Sequence, residues 1–202
     1  MTSAANSFGP GFWPLLHDVV AAHQPRALAR GDRLQAAVLI AFTPHAGDPR
    51  VILTVRSHDV EHHKGEISFP GGAHDADDPD LVWTALREAH EEVGIDPAHV
   101  RIVGEMSPWP SISGFHVTPY VGTLDRAPYQ YTPSPLEVAE VLEVPLAHLL
   151  DLANREDEIG ERDGQHFTTY RYHWNGHEIW GLTARMLHAL LQDLARPLGL
   201  YH

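Results

Sequence analysis

The stretch 68–95, "SFPGGAHDADDPDLVWTALREAHEEVGI", brings glycines, a run of aspartates and then a string of glutamates together. Its second half decides the reading: "LVWTALREAHEEV", 81–93, spaces apolar residues at helical intervals and stops at Gly94 and Pro97. On a helix, residues three and four apart share a face, so Glu88, Glu91 and Glu92 are expected on one side. Unpaired, they would repel. A hard divalent cation, Mg²⁺ or Mn²⁺, takes oxygen ligands and turns that repulsion into attraction, while keeping positions for water and phosphate oxygens. The plain alternative is a solvated acidic helix face paired with Arg87, a common arrangement. Pro70-Gly71-Gly72 just upstream favours the cation, because glycine lets backbone approach closely and offer a carbonyl. Arg87 can fix a carboxylate's orientation through a forked pair.

Composition narrows the classes. A formal net charge of −13 and a pI near 5.6 argue against a broad grip on a nucleic-acid backbone, but not against a small anion held through metal. The basic residues are thirteen arginines and one lysine, Lys64, which falls just upstream of the glycines. The absence of cysteine removes disulfides, thiolate zinc sites and a cysteine nucleophile together. The 16 histidines are scattered rather than spaced as ligands, so no zinc triad is expected from His58, His62 and His63. No apolar run approaches a membrane span and the start lacks a basic segment followed by an apolar one, so no membrane is expected and the localisation reads as cytoplasmic. A length of 202 residues suits one domain, with an N-terminal helix and linker over 1–32 and a core over 33–202.

Around the acidic helix, a front helix is expected over 12–24. The runs 34–44 and 50–57 read as strands joined by the turn "HAGDP", and 65–72 as a short strand entering the glycine loop. Strands are expected over 100–106 and 116–124, and over 136–145 running into a short helix after Pro145. A hairpin is expected about Asn175-Gly176, and the closing helix is expected to be capped by Thr183 or its neighbour. The sum is an α/β (α+β) fold, a mixed sheet sandwiched between helices.

These residues resemble the Nudix box: Gly, five residues, Glu, seven residues, then Arg-Glu-apolar-x-Glu-Glu-x-Gly-apolar. Arg87 to Ile95 fits the second half, with Ala89 at the first apolar place. The first half departs, because Asp78 stands where the family has Glu and eight residues, not seven, separate it from Arg87. Upstream, Leu53, Thr54, Arg56, Ser57, His63, Gly65, Glu66 and Ser68 to Gly72 are similar to the extra signature of the Nudix coenzyme A diphosphatases. Val60 stands where that signature usually has leucine, the added residue after Asp78 is familiar from the subfamily, and 179–184, "IWGLTA", is a weaker match.

The resemblance implies the Nudix fold, Mg²⁺ or Mn²⁺ held by Glu88, Glu91 and Glu92, and hydrolysis of the diphosphate of coenzyme A or its thioesters. It implies catalytic roles for Glu91, Glu92, Arg87 and a further glutamate from a later loop. Glu137, Glu140 and Glu143 are the candidates, and Glu137 is favoured because it sits in a loop. Substrate contacts fall to Arg56, Lys64, Gly71 and Gly72, the two cations being alternatively surface partners of Asp59, Glu61 or Glu66. Trp109, Phe115 and Tyr120 can stack on adenine or line a pantetheine channel, although aromatic residues there are more often core. A homodimer is implied by the resemblance alone. The rival readings are a Nudix hydrolase of ADP-ribose, a dinucleotide or an oxidised nucleotide, and a Nudix-fold sensor that binds a nucleotide without cutting it.

Overall fold

A computed structural model describes residues 8–9, 11–45, 47–57, 65–162 and 165–200. Lys64, with His58, Val60, His62 and His63, lies outside the described residues.

The first strand, β1 (Leu34–Thr43), is apolar along nearly its whole length because both of its faces are covered. Ala37, Leu39 and Ala41 point into one core layer, and Ala36, Ile40 and Phe42 into the other. Helix α2 (Leu81–Val93) closes the first layer with Ala85, Ala89 and Val93. Helices α1 (Phe12–Ala22) and α4 (Gly181–Leu198) close the second with Phe12, Leu16, Leu187 and Leu190. The expected sandwich of a sheet between helices is therefore the observed one.

The sheet is mixed. β1 runs parallel to β7 (Phe115–Leu124) from Leu34↔Phe115 to Phe42↔Thr123. On its other edge, β1 changes partner along its length. At its end it pairs antiparallel with β2 (Arg50–Arg56) through Phe42↔Val51. At its start it pairs with β4 (Gly71–Ala73) through Ala36↔Ala73 and Val38↔Gly71. Between them, the Leu39 N–H donates to the Pro70 carbonyl at 2.8 Å. The short β3 (Ile67–Ser68) and β8 (Val138–Pro145), which runs into the short helix α3 (Leu146–Leu150), extend the sheet beyond β2, while β5 (Val100–Glu105) and β6 (Trp109–Pro110) pair with β7. The splitting of β1's partners brings the glycine strand β4 under α2.

Two features differ from the expectations. A second sheet of three strands, β9 (Arg155–Arg162), β10 (Gln165–Trp174) and β11 (His177–Ile179), contains a strand that the sequence does not announce. "REDEIGER" is charged and lacks an apolar face, and it is extended because β10 supplies a continuous ladder from Tyr172↔Arg155 to Gln165↔Arg162. The hairpin at Asn175-Gly176 is as expected, with φ of 47° and 83° at the two turn residues. The closing helix begins before Thr183: Trp180 is its N-cap, no side chain caps it, and Thr183 is buried inside its first turn. No described helix is long and apolar enough to cross a membrane.

Candidate active site

Helix α2 starts and stops where its caps dictate. The Asp80 side chain accepts from the Trp83 N–H at 2.7 Å. Gly94, at φ 73°, reverses the chain, donating its N–H to the His90 carbonyl while Ile95 donates to the Ala89 carbonyl. The alanines at 85 and 89 let the helix lie close on β1, which sinks Glu92 to 6% exposure although it carries a carboxylate. The Gly71 N–H donates to Glu92 Oε2 at 3.1 Å. Burial, partly offset by that donor, and the nearby Glu88 charge push the Glu92 carboxyl up from the ordinary 4.5 to about 7. Glu88 is raised as well, first by burial and then by Glu91 and Glu137, against the opposing pull of Arg87.

The two glycines are required here for different reasons. A Cβ on Gly71 would lie 2.3 Å from the Ala37 carbonyl oxygen, and its φ of 156° favours glycine besides. A Cβ on Gly72 would lie 2.5 Å from Glu88 Cδ, so this glycine opens the space in which the Glu88 carboxylate rests.

Arg87 organises the acidic side. Its Nε and Nη2 fork onto Asp78 Oδ1 and Oδ2 at 2.9 and 3.0 Å, and Nη2 also donates to the Ala73 carbonyl at 3.1 Å. Its Nη1 lies 2.9 Å from both Glu88 Oε1 and Glu91 Oε2. Asp78 is buried and further accepts from Thr84 Oγ1 at 2.8 Å and from the Asp75 N–H at 3.1 Å. The Arg87 hydrogen bonds hold its carboxyl far below the usual range, despite burial. The residue whose box position is occupied by Asp rather than Glu is thus the anchor of Arg87, with the shorter side chain reaching it across one added loop residue.

The three α2 glutamates share one side of the helix, but their carboxylates are held by two different donors. Glu88 and Glu91 lean on Arg87, and Glu92 leans on the Gly71 N–H. Among the described residues no group of three acidic or histidine side chains stands ready to enclose an ion. The direct convergence expected from helical spacing is not the observed geometry, because Arg87 and Gly71 compensate the negative charge separately. The donor set nonetheless fits a hard cation. It is all oxygen, Glu88 sits in a cradle that a Cβ would fill, and burial, with a smaller push from the neighbouring carboxylates, raises both Glu88 and Glu92.

Of the later glutamates, Glu137 is the one beside this cluster, since its charge acts on both Glu88 and Glu92. The 132–138 segment is stitched to the end of α2: the Thr132 N–H donates to the Val93 carbonyl and the Ser134 N–H to the Glu92 carbonyl. Glu137 occupies the turn before β8, where its carbonyl accepts from the Ser57 N–H at 2.8 Å. Glu143 is instead engaged by the Tyr131 hydroxyl at 2.5 Å and by His45 Nε2 at 2.9 Å, and Glu140 lies 3.4 Å from His177. Arg56, at a bulge opposite Val138, acts on Glu92 as a nearby positive charge, and its Nε has no hydrogen-bond partner among the described residues. Tyr120 is core, in the layer under α2. Trp109 faces the other layer, beneath the Arg185 guanidinium at 4.7 Å.

A mixed sheet between helices, with a glycine strand leading into an arginine-ordered acidic helix, is the arrangement of a diphosphate-cleaving hydrolase. The chain belongs to the Nudix family, whose domain model matches residues 33–172, and it is a Nudix hydrolase. It is 42% identical over 164 residues to "Uncharacterized Nudix hydrolase NudL" of Pectobacterium atrosepticum, covering 81% of this chain and 84% of the relative. A second relative, "Nudix hydrolase 22, chloroplastic" of Arabidopsis thaliana, is 44% identical over 159 residues. That match covers 76% of this chain and 53% of the plant protein. Among solved structures, a C. elegans Ap4A hydrolase binary complex shares the fold with a TM-score of 0.53 at 16% identity, over 83% of this chain and 99% of that one. Nudix enzymes generally use divalent metal ions.

Proposed function

We propose that the protein hydrolyses the diphosphate of coenzyme A or acyl-coenzyme A, with Mg²⁺ or Mn²⁺, to 3′,5′-ADP and (acyl-)4′-phosphopantetheine. The observation that carries this reading is the position of the signature residues. Arg56 ends β2 and acts as a positive charge on Glu92, the Ser57 N–H donates to the Glu137 carbonyl, and the Gly71 N–H of the glycine strand donates to Glu92. The segment that specifies the subfamily therefore adjoins the acidic helix.

A divalent ion at Glu88, Glu91 and Glu92, with a Gly71 or Gly72 carbonyl as a further ligand, supplies charge neutralisation of the diphosphate. Arg87 positions Glu88 and Glu91 by holding one oxygen of each, and is itself held by Asp78. Glu137 takes the proton of the attacking water, whose oxygen bonds to phosphorus as the bridging P–O bond breaks and the leaving phosphate departs. Arg56, the cation beside Glu92, offers its guanidinium to phosphate oxygens. Lys64 is the second cation proposed for substrate, and a homodimer is the assembly that light scattering would test.

Incubation of the purified protein with coenzyme A, ADP-ribose and dinucleotide polyphosphates plus Mg²⁺ or Mn²⁺, with identification of products, tests the reading. The expected result is preferential formation of 3′,5′-ADP and 4′-phosphopantetheine. Preference for ADP-ribose overturns the substrate, and binding without cleavage of any compound overturns the activity.

A further inference from the structure

Helix α4, strand β10, the 23–28 stretch after α1 and the 106–110 stretch enclose a cavity of about 640 Å³. That size is within the range of small-molecule sites. Its walls include Met106 and Met186, which belong to the core layer under α1 and α4, whereas α2 covers the opposite face of the sheet. None of Arg56, Arg87, Glu88, Glu91, Glu92 or Glu137 lines it. The cavity is separate from the acidic helix.

Its chemistry runs against that of the whole chain. In a protein of formal net charge −13, three arginines, Arg26, Arg185 and Arg196, line this one cavity, and none is paired with a carboxylate among the described residues. The one acid in the described lining, Asp193, is already taken by His23 Nδ1 at 3.0 Å. His23 Nε2 in turn accepts from the Ser107 N–H at 3.1 Å, which ties this wall together. Unpaired guanidiniums around a concave surface attract anions, and their planar forks match phosphate or carboxylate oxygens.

The apolar side of the cavity is aromatic. Trp109 lies under the Arg185 guanidinium at 4.7 Å, Phe167 is 45% exposed, and Tyr170 stacks on His188 at 3.5 Å between ring centroids. His188 is 5% exposed and sits in the wall. Its Nδ1 faces the Tyr172 hydroxyl at 3.0 Å and the Arg155 Nη1 at 3.5 Å. Arginine can only donate, so Nδ1 accepts, and in the neutral ring Nε2 carries the hydrogen. That Nε2 is buried and has no partner among the described residues. A buried donor without a partner is costly, and an acceptor seated against the ring would satisfy it.

We propose that this cavity is a second ligand site, taking an organic phosphate with a planar ring, the chemistry of a mononucleotide. The phosphate lies against Arg26, Arg185 and Arg196, and the ring lies among Trp109, Phe167 and the Tyr170–His188 stack. The proposal does not depend on which diphosphate the acidic helix cleaves.

The test is calorimetric titration of AMP, adenosine and inorganic phosphate into the full-length protein in EDTA, so that turnover is silent. AMP is expected to bind once per chain, with adenosine and phosphate each at least about tenfold weaker. The double variant Arg26→Ala/Arg185→Ala changes two exposed side chains, so its fold is expected to survive, as circular dichroism would verify. It is expected to weaken AMP at least about tenfold while kcat and KM for the hydrolysed substrate stay unchanged. Glu91→Gln is expected to abolish turnover and leave AMP binding intact. Absence of AMP binding to the unaltered protein, or equal binding to the double variant, overturns the proposal. A KM for the hydrolysed substrate that rises in step with the loss of AMP also overturns it, because the cavity is then an arm of the hydrolytic site.

Discussion

Glu92→Gln separates the demands of folding from those of catalysis at a single atom. The side chain is 6% exposed and its carboxyl is pushed up from 4.5 to about 7, chiefly by burial. In the metal-free protein the folded state therefore holds a proton on Glu92 between about pH 4.5 and 7 where the unfolded chain has lost it. The stabilising effect of that proton is fully present below the unfolded value and is lost as pH rises through the folded one. The interval from 4.5 to about 7 corresponds to roughly 3 kcal/mol of charge penalty at pH 8. Glutamine keeps an acceptor for the Gly71 N–H and removes the charge. In EDTA at pH 8 the variant should thus be more stable than the parent by roughly 2–3 kcal/mol, about 5–10 °C in Tm for a chain of this size. The advantage should vanish near pH 4.5, and in saturating Mg²⁺ only the parent should gain stability. Turnover by the variant should be lost. Urea unfolding in EDTA at pH 4.5, 6 and 8 reads all of this. A variant less stable than the parent at pH 8, or a difference independent of pH, refutes the reasoning.

Other perturbations probe the neighbouring residues. Asp78→Asn removes the buried partner of the Arg87 fork and should cost roughly 2–3 kcal/mol, discounted because Arg87 keeps Glu88 and Glu91; its kcat should fall more than its KM changes, as thermal unfolding and steady-state kinetics would record. Gly71→Ala places a Cβ 2.3 Å from a carbonyl oxygen and should prevent soluble folded expression, whereas the Cβ of Gly72→Ala has the Glu88 side chain as its nearest neighbour and the variant should fold with impaired turnover. Glu137→Gln should lower kcat by roughly 10²-fold with metal affinity largely retained, and Glu140→Gln, whose side chain neighbours His177 instead, should be close to the parent in the same assay.

What the sequence made legible follows from whether the signal was local. Helix α2 was read to its ends, because apolar spacing over 81–93 and the left-handed Gly94 are properties of consecutive residues. The sheet strands β1, β2 and β7 were legible for the same reason, being long apolar runs buried on two faces. Strand β9 was not, since its extended form is imposed by β10 rather than by its own charged residues. Thr183 had the composition of a cap, but Gly181 allowed the helix to start earlier. At the site, the clustering of Glu88, Glu91 and Glu92 on one side of the helix was readable, whereas their division between Arg87 and Gly71 was not. The Arg87–Asp78 fork spans a loop, and the Gly71 donor comes from a strand positioned by β1. The separation of Glu137 from Glu140 and Glu143 likewise depends on tertiary hydrogen bonds over 132–138. The arginine-lined cavity is assembled from four distant segments, which no spacing rule joins.

The most direct measurement is anomalous diffraction from crystals soaked with Mn²⁺ and a non-hydrolysable diphosphate. The expected result is a manganese peak within roughly 2.0–2.3 Å of carboxylate oxygens from Glu88, Glu91 and Glu92, with at least one of these side chains turned away from Arg87 or the Gly71 N–H and a diphosphate oxygen on the same ion. Glutamates still bound to Arg87 and Gly71, with manganese elsewhere or absent, would contradict the assignment.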